Sequence, residues 1–166
     1  ETFFSDVYTL KKMTTEEYIR DKRFETHGCA IKWEPHLPAR WYDRDETKQV
    51  LTAYDWSDTA VLCHHSHFDG LILSHHYRIK PHAWLDTLSM ARLVLGNHVS
   101  VSLDSLSRHF GLAAKSVPYD LFKGKHWDDM TVWEQSAIAE GCKHDCELTW
   151  QIAQYLLGGH ALVPYP

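Results

Sequence analysis

The sequence predicts an α/β fold, a mixed β-sheet flanked by α-helices, and three observations carry that prediction. Short apolar or alternating runs occupy the first half of the chain. Segments of helical period then alternate with further short runs. One long helical pattern closes the chain. Strands first, a strand–helix alternation next and helices last is the order of a sheet covered by helices. With 166 residues, 44% of them hydrophobic and 23% charged, the chain is long enough for one buried core, and it reads as a single domain over 1–166.

The elements follow in order. Glu1-Thr-Phe-Phe reads as the end of a strand that begins upstream. Thr14 and Glu17 form a capping box, which starts a helix from Thr15 to about Arg23. His27 to Trp33 and Arg40 to Asp43 read as strands on either side of a Pro35–Pro38 turn. Glu46 to Tyr54 reads as a helix, and Thr59 to His64 is an apolar run suited to a buried strand. Helical spacing sets in at Asp69 and is broken by Pro81, after which Trp84 to Asp86 reads as a strand end. Leu88 to Leu95 is helical, with Gly96-Asn97 as its stop, and Leu103 to Phe110 is a second helix ended by Gly111. Lys115 to Lys125 is a loop. A last helix runs from about Thr131 to Leu157, stopped by Gly158-Gly159.

Composition excludes some functions. A formal net charge of −5 argues against a protein that grips duplex DNA by a broad basic face. It fits an enzyme whose clustered carboxylates hold cations, because the metal then supplies positive charge to a phosphate. No apolar run approaches the ~20 residues of a membrane span, and the N-terminus is not a signal peptide. The four cysteines, Cys29, Cys63, Cys142 and Cys146, form no C-x-x-C pair and read as reduced thiols of an intracellular protein. Thirteen His and seven Trp are unusual; the aromatic residues suit either a core or stacking on unpaired bases.

Four carboxylates fall where they can meet at one sheet edge. They are Glu1, Asp69, Asp86 and Asp145. Such a set can hold two divalent ions ~3.5–4 Å apart for phosphodiester hydrolysis, and its hard oxygen ligands favour Mg2+ or Mn2+ over zinc. The chain has 22 acidic residues, so spacing alone selects no particular four, and solvated surface charge is the competing reading.

Three segments resemble, in order, the three motifs of the Asp-Glu-Asp-Asp exonuclease superfamily. Glu1-Thr2-Phe3 is similar to the end of the first, Asp-x-Glu-Thr. His65-Ser66-His67-Phe68-Asp69 is similar to the second, Asn-x-x-Phe-Asp, and Gly141-Cys142-Lys143-His144-Asp145 to the third, Tyr-x-x-x-Asp. The stretches from Ser5 to Tyr18, Trp84 to Leu88 and Asp145 to Thr149 look like phage polymerase sequence. The chain thus resembles the 3′–5′ exonuclease (proofreading) domain of phage family-A DNA polymerases along nearly all its length.

That resemblance implies a ribonuclease H-like sheet and two Mg2+ or Mn2+ ions held by Glu1, Asp69 and Asp145 as catalytic metal ligands. It implies that Thr2 and Phe3 lie near the terminal nucleotide, with His65 and Phe68 on the substrate side, and that Asp86 plays a supporting part. The implied reaction is removal of nucleotides from the 3′ end of single-stranded or frayed DNA. The implied setting is DNA replication in the cytoplasm of a bacterial or phage-infected cell, with a polymerase domain in the parent chain and no membrane.

The chain departs from the pattern at three places. The first-motif Asp would stand two residues before Glu1, on the same strand face, so an upstream apolar strand ending in Asp-x-Glu1 is expected. His65 replaces the second-motif Asn, and Gly141 replaces the third-motif Tyr, which helps to orient the attacking water. The variant that uses His has it five residues before the Asp, where Glu140 stands here. Turnover is therefore expected to be slow. Gly141→Tyr should raise it and, by removing a mid-helix glycine worth ~1 kcal/mol against Ala, also firm the helix.

Other readings stay open. The Cys63-His64-His65-x-His67 run, with His75, His76 and the Cys142/Cys146 pair, invites structural zinc. Adjacent His64 and His65 near a strand point to opposite faces, which opposes joint ligation. Gly141 and the missing Asp favour a module that holds a single strand without cutting it. A ribonuclease on the same fold is the third reading. Lys115, Lys123 and Lys125, interleaved with Tyr119 and Phe122, suit an incoming single strand or a solvated loop equally.

Overall fold

The structure, a computed structural model, describes residues 1–96, 98–115 and 117–158. In chain order the elements are α1 (Thr15–Arg20), β1 (Gly28–Ile31), β2 (Arg40–Asp43), α2 (Arg44–Ala53), β3 (Ala60–Cys63), α3 (Ser66–Tyr77), β4 (Ala83–Asp86), α4 (Thr87–Leu95) and α5 (Leu103–His109). Two short 3₁₀ turns, Tyr119–Phe122 and Trp127–Asp129, then lead into α6 (Val132–Leu156). The expected stop residues Asn97 and Gly159 lie outside the described residues.

Side-chain caps set the helix starts. Capping boxes close at Thr14/Glu17, Asp43/Glu46 and Thr131/Glu134, each worth about 1 kcal/mol. The Asp43 box explains why α2 begins two residues before the predicted Glu46. Helix α1 stops at Arg20, short of Arg23, because the extended Asp21 turns its carboxylate onto the Arg23 N–H, 2.9 Å away.

The strands form two small sheets. β1 and β2 are antiparallel, with Gly28 opposite Asp43 and Ile31 opposite Arg40. β3 and β4 are parallel, with Ala60 opposite Ala83 and Cys63 opposite Asp86, and α3 makes the crossover that parallel pairing requires. The N-terminal residues extend the first sheet. Thr2 bridges Thr26 antiparallel, the Phe3 N–H donates to Glu25 O (2.9 Å), and the His27 N–H donates to Glu1 O (2.9 Å). The fold is thus mixed α/β, with small sheets flanked by helices.

Burial follows the predicted faces. Phe3, Tyr8, Tyr18, Ile19 and Ile72 join the N-terminal segment to α1 and α3. Ala91, Leu103, Leu106, Leu148 and Ile152 join α4, α5 and α6. Phe122, Met130 and Ile138 fasten the 115–130 region onto α6. Side chains of this size each contribute roughly 1.5–3 kcal/mol when buried.

Helix α6 ties the parts together, since it packs on β1, β2, β3, α4 and α5. Its buried stripe includes Ile138, Gly141, Leu148 and Ile152. Asp145 falls in the same three-and-four spacing, between Gly141 and Leu148. A carboxylate on an apolar stripe must find a partner inside the fold. Among the described residues no helix is long and apolar enough to cross a membrane.

Candidate active site

Three elements and the extended N-terminus bring the acidic residues together. Glu1 ends the segment paired with 25–27, and its ammonium donates to Gly28 O at 2.7 Å. Asp69 stands in the first turn of α3, Asp86 ends β4, and Asp145 lies on the stripe of α6. Glu1 is the acidic neighbour shared by Asp69 and Asp145; each carboxyl is harder to ionise because of it.

The four carboxyls differ in how they are held. Burial pushes Asp69 up to about 7; the Glu1 ammonium opposes this, while the Glu1 and Asp86 carboxylates add to it. Burial also raises Asp145, and the Lys115 ammonium, 2.7 Å from its Oδ2, draws it part of the way back. Asp86 runs the other way. Burial would raise it, but Ser89 Oγ (2.7 Å), the His65 N–H (2.8 Å) and the Leu88 N–H (3.1 Å) all donate to it and hold it below the ordinary range. Asp86 is therefore a fully bonded anchor, as its supporting reading requires.

That anchor also explains where α3 begins. No side chain caps this helix, and His65 takes a left-handed conformation (φ 78°, ψ 63°) held by its bond to Asp86. The Phe68 N–H then donates to His65 O at 2.9 Å, so the helix opens at Ser66, three residues before the predicted start, and Asp69 points inward from its first turn.

The other predicted site residues divide. Thr2 Oγ1 shares a 2.9 Å hydrogen bond with the Tyr18 hydroxyl. Glu1, Thr2, Tyr18 and Phe68 line a cavity of about 270 Å³, closed by Phe4, Thr9 and Leu10. Phe3 is 7% exposed, and its ring stacks on His126 (4.1 Å) and Tyr8 (5.9 Å), which makes it part of the core. A larger groove of about 730 Å³ runs past Glu25, Arg44, Lys48 and His76; it carries both signs of charge and none of the predicted site residues.

The 115–125 loop behaves differently from its sequence pattern. Phe122 is buried at 3% exposure, Lys123 pairs with Asp6 (2.8 Å), and Lys125 pairs with Glu134. Only Lys115 and Tyr119 turn toward the carboxylates. Lys115 lies on Asp145 and over the Tyr119 ring, 5.3 Å from its centre.

The expectation for Gly141 is overturned. A Cβ at this position would stand 2.7 Å from the Tyr119 hydroxyl, 2.7 Å from Val117 Cγ2 and 3.0 Å from Val117 Cβ. Real Cβ atoms are not found so close, so a tyrosine at 141 would collide before its ring was placed. Tyr119 is the residue that sequence reasoning missed. The available signal was a glycine on the buried stripe of a long helix, which marks a close approach without saying what approaches.

The histidines and cysteines of the zinc reading are dispersed among other partners. His64 Nδ1 meets Thr87 Oγ1 (2.8 Å), His67 meets Glu16 (3.2 Å), and His76 meets Ile19 O (2.9 Å) while stacking on Phe24. Burial raises the thiols of Cys63, Cys142 and Cys146, as expected of core cysteines. Among the described residues no three His, Cys, Asp or Glu side chains are drawn into a ready-made metal shell. No family model, no curated protein and no solved structure matches the chain.

Proposed function

We propose that this chain is a metal-dependent 3′–5′ exonuclease on a ribonuclease H-like α/β fold. It removes nucleotides from the 3′ end of single-stranded or frayed DNA, as the proofreading part of a DNA polymerase in a bacterial or phage-infected cell. One observation carries the reading. Glu1, Asp69 and Asp145, singled out from three distant motifs, form one buried electrostatic group with Glu1 at its centre, and Glu1 also borders the 270 Å³ cavity. That volume is near the lower limit for a small-ligand pocket and suits a single nucleoside.

The donor set fits a hard divalent cation. All its members are carboxylate oxygens, and their mutual repulsion in a buried setting is the charge deficit that Mg2+ or Mn2+ would relieve. Glu1, Asp69 and Asp145 would hold the two ions. When bound, they would supply an activated water and charge stabilisation of the leaving 3′ oxygen.

The chain's own groups do the rest. Phe4 and Phe68 give the cavity apolar walls for a base or sugar, and the Thr2 and Tyr18 hydroxyls give it a polar edge. Asp86 fixes the opening of α3 and so the direction of Asp69. Lys115 neutralises Asp145 until another cation displaces it. In the hydrolysis the water oxygen bonds to phosphorus and the bond from phosphorus to the 3′ oxygen breaks. One water proton passes to a carboxylate of the group, and the departing 3′ oxygen takes a proton from solvent.

The Lys115–Asp145 ion pair favours a second reading, a module that binds a single strand without cutting it. Digestion of a 3′-labelled single strand with Mg2+ or Mn2+, with and without chelator, separates the two. The exonuclease releases mononucleotides from the 3′ end, and chelator stops it. Binding without shortening would overturn the exonuclease in favour of the binding module. Faster shortening of RNA than of DNA would overturn the choice of substrate.

A further inference from the structure

The Tyr119 hydroxyl is buried and has no hydrogen-bond partner among the described residues. A phenol in that state is costly, because its O–H has lost water and gained nothing. It is nonetheless firmly placed. Its oxygen rests against Gly141, in the space that any side chain there would claim. The Lys115 ammonium lies over one side of the ring, and Phe122 meets it edge-on at 6.4 Å. The loop is fastened beyond it by the Gly124 N–H, which donates to Phe4 O at 2.7 Å, on the same segment that carries Glu1.

The charged neighbours of this hydroxyl are Glu1 and Asp145, together with the Cys142 thiol. Gly141 precedes Asp145 by one helical turn, so both face the same side of α6. The phenol therefore points into the space between two carboxylates on different elements. Two anions repel a phosphate oxygen but attract a water, which can donate a hydrogen to each. The lone pair left on that water then faces the phenol O–H.

We infer that Tyr119 is a catalytic residue of this site, whose hydroxyl hydrogen-bonds and orients the attacking water between Glu1 and Asp145. This rests on the exonuclease reading and deepens it. The loop supplies the phenol that α6 does not carry, and Gly141 is the residue that makes room for it. The buried hydroxyl is unpartnered because its partner arrives with the reaction.

The test is Tyr119→Phe, which keeps the ring, its packing and the contact with Lys115, and removes only the oxygen. Steady-state digestion of a 3′-labelled single strand with Mn2+ is read beside thermal melting. The expected result is a kcat lower by roughly 10–100-fold with KM unchanged, the scale of a positioned proton-handling group. The melting temperature should be equal or higher, since the variant loses a buried hydroxyl that had no partner. A wild-type kcat in the variant overturns the assignment of Tyr119 alone. So does a loss confined to KM or to the melting temperature, which marks a structural residue. A wild-type protein that releases no nucleotide at all overturns the exonuclease reading and this assignment with it.

Discussion

The Tyr119 hydroxyl stands 2.7 Å from the point where a Cβ on Gly141 would sit. Glycine in a helix interior ordinarily costs up to about 1 kcal/mol against alanine. Here the alanine methyl would meet Tyr119 and Val117 together, and overpacking of this kind costs roughly 1–3 kcal/mol. Gly141→Ala should therefore lower the urea midpoint, and Gly141→Tyr should lower it further. Adding Tyr119→Ala to Gly141→Ala should recover part of the loss, with Val117 keeping the rest. A midpoint raised by Gly141→Ala alone would show that the two residues are not in contact.

Asp145→Ala should leave the fold standing and stop the chemistry. Its side chain is 19% exposed and that of its partner Lys115 is 33% exposed, so the ion pair itself contributes about 1 kcal/mol or less. Hydrolysis of a 3′-labelled strand should fall at least ~100-fold, the scale on which a single group stabilises transition-state charge. Affinity for the strand should hold or rise, because one negative charge goes and Lys115 is freed. Cleavage at the wild-type rate would remove Asp145 from the site.

Asp86 is a test of architecture. One of its oxygens accepts from both the His65 and Leu88 N–H groups, and the other accepts from Ser89. Asp86→Ala would strip the cap from α4 and orphan the N–H that opens α3, a cost of about 2–3 kcal/mol. Asp86→Asn keeps an acceptor oxygen and should cost about half as much. Denaturant melts of the two variants decide this; equal losses would mean that charge, and not the hydrogen bonds, is what matters there.

His27 should make the protein acid-sensitive. It is 3% exposed, its Nδ1 has no hydrogen-bond partner, and Glu25 is 3.6 Å away. Burial, helped by the Glu1 ammonium and opposed by Glu25 and Glu1, pushes its pKa down from 6.5 to about 4. Between those values the unfolded chain binds a proton that the folded protein refuses, so stability is lost as pH falls through this window. At about 1.4 kcal/mol per unit, the contribution is bounded near ~3 kcal/mol. Urea midpoints at pH 7.5, 5.5 and 4.5 should drop less steeply for His27→Gln than for the wild type. Parallel slopes would rule out this source of acid sensitivity.

Much of the fold was legible because its signals are local. Thr14 with Glu17 and Thr131 with Glu134 start their helices where the capping pattern says, since a cap is a bond between residues three apart. β2 spans Arg40–Asp43, as its pattern and bounding turn require. The misplaced start of α3 has a long-range cause, for the group that holds His65 is Asp86, across the parallel strands. Phe3 read as a substrate-side residue by its motif position. It is core because Tyr8 and His126, from two other segments, close over its ring.

The sequence by itself determined which carboxylates matter to the argument and that Asp145 lies on an apolar helical stripe, because spacing along one helix is intrinsic to the chain. Only the tertiary structure decided what stands opposite them. Lys115 and Tyr119 come from a loop with no period to read, and Phe122, Val117 and the Gly124–Phe4 hydrogen bond fix their positions through contacts far apart in sequence. A missing side chain at 141 reads as a loss in one dimension. In three dimensions it is the space into which a phenol from elsewhere fits.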